Sequence, residues 1–332
     1  MRFLDRFDYT YDFMGIRYKA MILSTLLMLA SVASLVYQNL KFGIDFTGGT
    51  LVEVGYQLPP DLEDIRNTLH ENGFPDAVVQ NFGTTKDVLI RLGIREEAEK
   101  VNTSDANQQN DSKDDKQSSH DKLSNQIFQL LQSSSNEVQL RRVEFVGPQV
   151  GEELIEDGGL AVLYTLIGIL IYVAFRFEYR FALGAIAALV HDTVITVGLF
   201  SAFQWEFDLT VLAAILAVIG YSLNDTIVVF DRIRDNFVKM RKQSAVSVMN
   251  KSINQIVGRT VMTSVTTLLV LIVLFLFGGE LIHGFATALI IGVVVGTYSS
   301  IYIASATALA LGVSKADLMP VQKEGAELDD LP

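Results

Sequence analysis

Six stretches of this chain are almost free of charge and approach or exceed the length that crosses a bilayer. They are about Ala20–Tyr37, Leu160–Phe175, Phe181–Phe203, Leu209–Phe230, Thr260–Phe277 and Phe285–Leu311. A spanning helix needs about 20 apolar residues to cross hydrocarbon about 30 Å thick. In lipid the chain must satisfy its own backbone N–H and C=O groups, which leaves helices or a closed barrel. The runs do not alternate with period two, so they read as helices. The expected fold class is a multi-pass α-helical membrane protein with six transmembrane helices. The first run follows Arg2, Arg6, Arg17 and Lys19, is too long for a signal core, and lacks a small-residue cleavage pattern. It is expected to be retained as the first helix. The chain has no cysteine, which removes disulfides and thiol chemistry.

Short loops rich in Lys and Arg lie on the cytoplasmic side. Such residues mark residues 1–19, the link with Arg176 and Arg180, and the link from Arg232 to Arg259. The opposite links, QWEFD and GGELIH, contain neither Lys nor Arg. Both termini are therefore expected in the cytoplasm, including the tail 313–332, and segment 38–157 on the far side. That segment holds 22 acidic and 11 basic residues, close to the whole net charge of −12. An acidic exported domain argues against nucleic acid as a partner.

Within 38–157 the pattern changes type repeatedly. TLVEVGY reads as a strand, and PPDLEDIRNTLHENG as a helix with Pro at its start and Gly73 at its end. AVVQNFG and DVLIRLG read as paired strands, DKLSNQIFQLLQ as a second amphipathic helix, and EVQLRRVEFVG as a last strand. The order βαββαβ is that of a ferredoxin-like α+β domain. Residues 96–120 are polar and poor in large apolar side chains, which predicts a mobile insertion. No grouping of His, Cys, Asp or Glu has metal-ligand spacing, and no Ser/His/Asp set stands out. A hydrolase is therefore not expected, and neither a metal nor a cofactor.

Polar residues inside the apolar runs are the candidates for function, because a charge at the bilayer centre costs about 2.5–3.5 kcal/mol or more. His191 and Asp192 sit within the third run, Asn224 and Asp225 within the fourth, and Arg259 opens the fifth. Asp225 precedes Phe230 by five residues, which places it about 7.5 Å inside the cytoplasmic edge. Arg259 lies at the same edge and its side chain has the length to reach inward. A snorkelling anchor satisfies its position equally well. Thr260, Thr263, Ser264 and Thr267 follow it on one helical stripe, suited to a wet interior or a helix contact. Burial favours a neutral carboxyl and a nearby guanidinium favours an ionised one. Asp225 and Arg259 together thus read as a two-state proton switch, Asn224 as an interhelical hydrogen-bonding group, and His191 with Asp192 as weaker proton-coupling candidates or a structural pair. Small residues recur every four positions from Gly184 to Thr196 and from Gly284 to Gly312, the mark of closely packed helices. The first of these stripes includes Asp192 and so assigns it to a helix–helix face.

FGIDFTGGT (Phe42–Thr50), VEFVGPQVGEEL (Val143–Leu154), GYSLNDTIVVFDRIRDN (Gly220–Asn236) and GRTVMTSVTTLLV (Gly258–Val270) together resemble the SecF branch of the SecD/SecF family. The resemblance runs in the family's order from about residue 10 to 312. It implies membership of the RND superfamily of proton-coupled membrane machines, with six helices forming half of a bundle that SecD completes. It also implies association with the SecYEG channel and YajC in the bacterial inner membrane. The implied activity is use of the proton-motive force to help a translocating polypeptide finish crossing. The family's proton-transfer residues fall on Asp225 and Arg259. The insertion at 96–120 departs from the family pattern. Two other readings stand beside this one: half of a proton-coupled exporter of small molecules or lipids, and a scaffold that only stabilises SecD or the channel.

Overall fold

The computed structural model describes residues 11–75, 77–82, 84–93, 127–132, 138–240 and 242–313. The insertion at 96–120, the start of the second domain helix and nearly all of the C-terminal tail lie outside these residues. The elements are α1 (Arg17–Gln38), β1 (Lys41–Phe42), α2 (Ile44–Thr47), β2 (Gly49–Tyr56), α3 (Leu62–Glu71), β3 (Val78–Phe82) and β4 (Thr84–Gly93). A helical stretch at 127–132, here α4, and β5 (Val138–Val146) complete the exported domain. The membrane part continues with α5 (Pro148–Arg176), α6 (Tyr179–Ala202), β6 (Glu206–Phe207), α7 (Leu209–Lys239), α8 (Ala245–Phe277) and α9 (Glu280–Ser299). A π-helical turn, Ser300–Ala304, then leads into α10 (Ser305–Ala310).

Among the described residues, six helical spans are long and apolar enough to cross a membrane: α1, α5, α6, α7, α8 and α9 with its continuation. Their bounds differ from those read by hydropathy. Helix α5 starts at Pro148, α7 runs on to Lys239 and α8 begins at Ala245. Backbone hydrogen bonding continues a helix wherever propensity allows, whereas hydropathy marks only the stretch in lipid. The α7–α8 pair therefore projects past the apolar zone as a helical hairpin. Inside it, Asn236 donates to Ser252 and Gln255, both at 2.8 Å. Helices α6, α7 and α9 form the inner layer, and α1, α5 and α8 expose most of their apolar side chains outward.

The exported domain has the strand order β3-β4-β2-β5, every pair antiparallel. With the helices this is the ferredoxin-like arrangement. Asp61 caps α3 by accepting from the Glu63 backbone at 2.8 Å. Ile65 and Leu69 of α3, with Ile127 and Leu131 of α4, cover one face of the sheet against Val52, Val54, Val88 and Ile90.

One joint ties this domain to the membrane helices, and no local pattern announced it. Lys41 and Phe42 pair in parallel with Glu206 and Phe207, from the loop before α7. Asp45 accepts from the Leu209 backbone at 3.1 Å, and Arg91 of β4 meets Glu206 at 2.7 Å. Within the domain, the β2–β4 pairing brings the chain close at Gly49. Gly49 has φ +157°, and a Cβ there would stand 2.3 Å from the Leu92 carbonyl oxygen.

Candidate functional site in the membrane core

Helix α7 buries one continuous stripe: Val211, Ala214, Ile215, Val218, Ile219, Ser222, Asp225, Thr226, Val229, Phe230 and Ile233. This is the i, i+3, i+4, i+7 spacing of a helix with one inward face. Asp225 belongs to it and is only 4 % exposed. Asn224, one residue earlier, points away and is exposed. Its side chain makes no hydrogen bond among the described residues, so the interhelical bond expected of it is not formed among them.

The stripe is apolar at both ends. Its N-terminal portion packs with Phe46, Phe200 and Phe207, and its C-terminal portion with Phe181 and Met14. Between them lie Ser222, Asp225 and Thr226. The Asp225 Oδ2 atom is buried with no hydrogen-bond partner among the described residues. Arg259 of α8 is exposed, at the outer side of the bundle, and no ion pair joins it to Asp225. The hydroxyl stripe after it divides. Thr260 and Ser264 are buried, and Ser264 shares a 2.7 Å hydrogen bond with Thr297 of α9. Thr263 faces outward.

His191 and Asp192 lie deep on α6, 2 % and 1 % exposed. The His191 Nδ1 and Asp192 Oδ1 atoms share a 2.9 Å hydrogen bond. Asp192 Oδ2 accepts from Ser222 of α7 at 2.5 Å and from Ser299 of α9 at 2.7 Å. One carboxyl group therefore joins all three inner helices. The fold brings Asp192 onto the α7 stripe through Ser222, but it does not pair Asp192 directly with Asp225.

The small-residue stripes explain why the helices come close enough. Cβ atoms added at Gly284, Gly292 and Gly296 would meet Val211, Val218 and Ser222 of α7. Further along, a Cβ at Gly184 of α6 would lie 2.8 Å from the Ala304 carbonyl oxygen. A spacing of four drifts around a helix of 3.6 residues per turn, so the stripe leaves α7 and arrives at α6. The π turn Ser300–Ala304 lies in that passage, next to Ser299. Sequence reasoning missed Ser222 and Ser299. Ser222 was recoverable from the α7 spacing, whereas nothing local to Ser299 signals its partner on α6.

Among the described residues, no group of three or more His, Cys, Asp and Glu could hold a metal ion. The site is a set of protonatable and hydroxyl side chains in a buried helical core.

Residues 126–314 match the C-terminal family of the protein export membrane proteins SecD and SecF, and residues 40–57 match the SecD/SecF GG motif. The protein translocase subunit SecF of Vibrio alginolyticus is 52% identical over 326 residues, 97% of each chain. That of Pseudomonas aeruginosa is 46% identical over 97% of this chain and 98% of its own. The crystal structure of SecDF, a translocon-associated membrane protein from Thermus thermophilus, superposes with TM-score 0.74 at 34% identity, over 94% of this chain. This chain spans 39% of that larger one.

Proposed function

The chain belongs to the SecD/SecF family of protein-export membrane proteins, and on that premise we propose that it is the SecF-type subunit of a bacterial protein translocase. Near full-length identity to translocase subunits carries this reading. It does not favour a small-molecule exporter, and no enzymatic activity is assigned. The chain is a multi-pass bacterial membrane protein, and its loop charges support cytoplasmic termini.

SecD is the proposed partner. The SecDF likeness supports it, because this chain matches only part of a larger assembly. The exposed polar groups at membrane depth support it too. Asn224, Arg259 and Thr263 stand on the outside of this bundle. Polar groups in hydrocarbon are costly and as a rule face a bundle interior. A second half-bundle from SecD would convert this outer face into an inner one. The pair would act beside SecYEG and YajC in the inner membrane, on a polypeptide in transit.

The proposed coupling residue is Asp225, with Arg259 as the charge that moves relative to it and Asn224 beside it on the partner-facing side. A buried carboxyl oxygen without a partner is suited to binding and releasing a proton. Each proton crossing at 100 mV supplies about 2.3 kcal/mol, a modest stroke that biases a sliding chain. The test is Asp225→Asn, co-expressed with SecD and followed by export into inverted vesicles with and without a proton gradient. The expected result is loss of the gradient's benefit with the complex intact. A full response to the gradient would overturn the coupling role.

A further inference from the structure

The membrane core holds two buried carboxyl groups, and their surroundings differ in kind. Asp192 is tied at both oxygens: to His191 at 2.9 Å, to Ser222 at 2.5 Å and to Ser299 at 2.7 Å. Asp225 keeps a buried oxygen with no partner among the described residues. A carboxyl group hydrogen-bonded at both oxygens is held in place. One with an open oxygen is free to take a proton. Paired carboxyls in unlike environments divide their roles in this way.

We infer that Asp192 is the positioning residue for Asp225, acting through Ser222, and is not itself a proton carrier. The link is geometric. Ser222 and Asp225 are neighbours on the buried stripe of α7, one turn apart and on one side. The bond from Ser222 to Asp192 sets how deep and at what rotation α7 lies against α6. The bond from Ser299 does the same for α9, immediately before the π turn. There is little room for adjustment, since the Ser222 Cβ lies 3.0 Å from where a Cβ on Gly296 would stand. Asp225 therefore meets its surroundings at a place chosen by a carboxylate on a different helix. Within the apolar runs the other titratable groups are His191 of α6, Tyr221 of α7 and Tyr298 of α9, with Arg259 at the edge on α8 and Tyr302 in the π turn; nearer the helix ends lie Tyr179 and Arg180 of α6, Asp231, Arg232, Arg234, Asp235 and Lys239 of α7, Lys251 of α8, and Glu280 and His283 of α9. Of these, His191 is bonded to Asp192, and Tyr298 is engaged with α1 through the Ala20 carbonyl at 2.9 Å.

This inference rests on the proposal that Asp225 titrates, so its test reads the carboxyl directly. The full subunit is purified with SecD in nanodiscs. Infrared difference spectra are recorded across a pH series, and the carboxylic C=O band lost in Asp225→Asn is assigned to Asp225. Ser222→Ala and Asp192→Asn are then titrated alongside, with the yield and melting temperature of the complex recorded. Ser222→Ala removes one hydroxyl and serves as the gentler variant should Asp192→Asn fail to assemble. The expected result is a midpoint displaced by about half a pH unit or more in both variants, in the same sense, with Ser222→Ala assembling normally. An unchanged midpoint in Ser222→Ala overturns the inference. So does a second titrating band that vanishes in Asp192→Asn, which would make Asp192 a carrier. Absence of any band lost in Asp225→Asn would instead sink the coupling proposal on which the inference depends, and the inference with it.

Discussion

The contact between Gly292 of α9 and Val218 of α7 offers a quantitative test of how the inner helices are held. A Cβ built on Gly292 would stand 2.1 Å and 2.6 Å from the two Val218 methyl carbons and 2.9 Å from the Val218 Cβ. Contacts this short cannot be accommodated in place, and Val218 is 1 % exposed with nowhere to swing. Gly292→Ala must push the helices apart, at a cost of about 1–3 kcal/mol for overpacking. Val218→Ala removes both offending methyl groups. Alone it leaves a small void and costs about 1–2 kcal/mol in lost dispersion contacts. That loss reflects packing, because burial gains little when lipid is as apolar as the side chain. In the double variant the new methyl occupies the space that the valine methyls vacated, and only the remaining Cβ at 2.9 Å has to give a little. Its total should fall below the sum of the single changes by about 1–3 kcal/mol, a coupling in the range found for residues in contact. The assay is denaturant unfolding of the purified chain in one fixed detergent, for wild type, both single variants and the double. Additive costs would refute the reasoning, because they would mean that the two helices do not meet at this pair.

Two further perturbations probe the exported domain and its joint with the membrane part. Arg91 and Glu206 are a mostly buried ion pair, 11% and 26% exposed, so Arg91→Ala or Glu206→Ala should destabilise the joint by about 1–3 kcal/mol by stranding the other charge. The exchanged pair Arg91→Glu with Glu206→Arg should recover part of the loss, which limited proteolysis of the β4–α7 region would read; equal protease sensitivity in single and exchanged variants would count against a direct pair. Tyr56 of β2 has its phenol pushed up to about 12 by burial. The folded state thus holds this proton more tightly than the unfolded chain does. The stabilisation is complete below the unfolded value near 10 and is lost as pH rises through 12. Phenolate absorbance should show a late-titrating tyrosine in wild type that is missing in Tyr56→Phe.

The membrane helices and the domain strands were legible because each is a local pattern. Uncharged runs of bilayer length that do not alternate with period two have one solution in lipid, the helix. The βαββαβ order follows from segment types alone, and its sheet pairs as that order requires. Asp225 was legible because a carboxylate in such a run has few explanations. The α7 spacing would also have separated inward Asp225 from outward Asn224, had burial been read residue by residue.

What remained hidden depends on partners distant along the chain. The Arg91–Glu206 pair spans 115 positions, and the Asp192–Ser299 bond spans 107. An arginine in a strand or a serine in an apolar helix is ordinary by itself, and nothing local names its partner. Hydropathy likewise could not place the helix ends, because helices α7 and α8 continue on hydrogen bonds that do not require lipid. The sequence by itself determined six spans, one exported α+β domain, the family and the main ionisable candidate. Only the tertiary structure decided which carboxyl is saturated and which is open, because that depends on how three helices meet, and side chains far apart in sequence choose the meeting point.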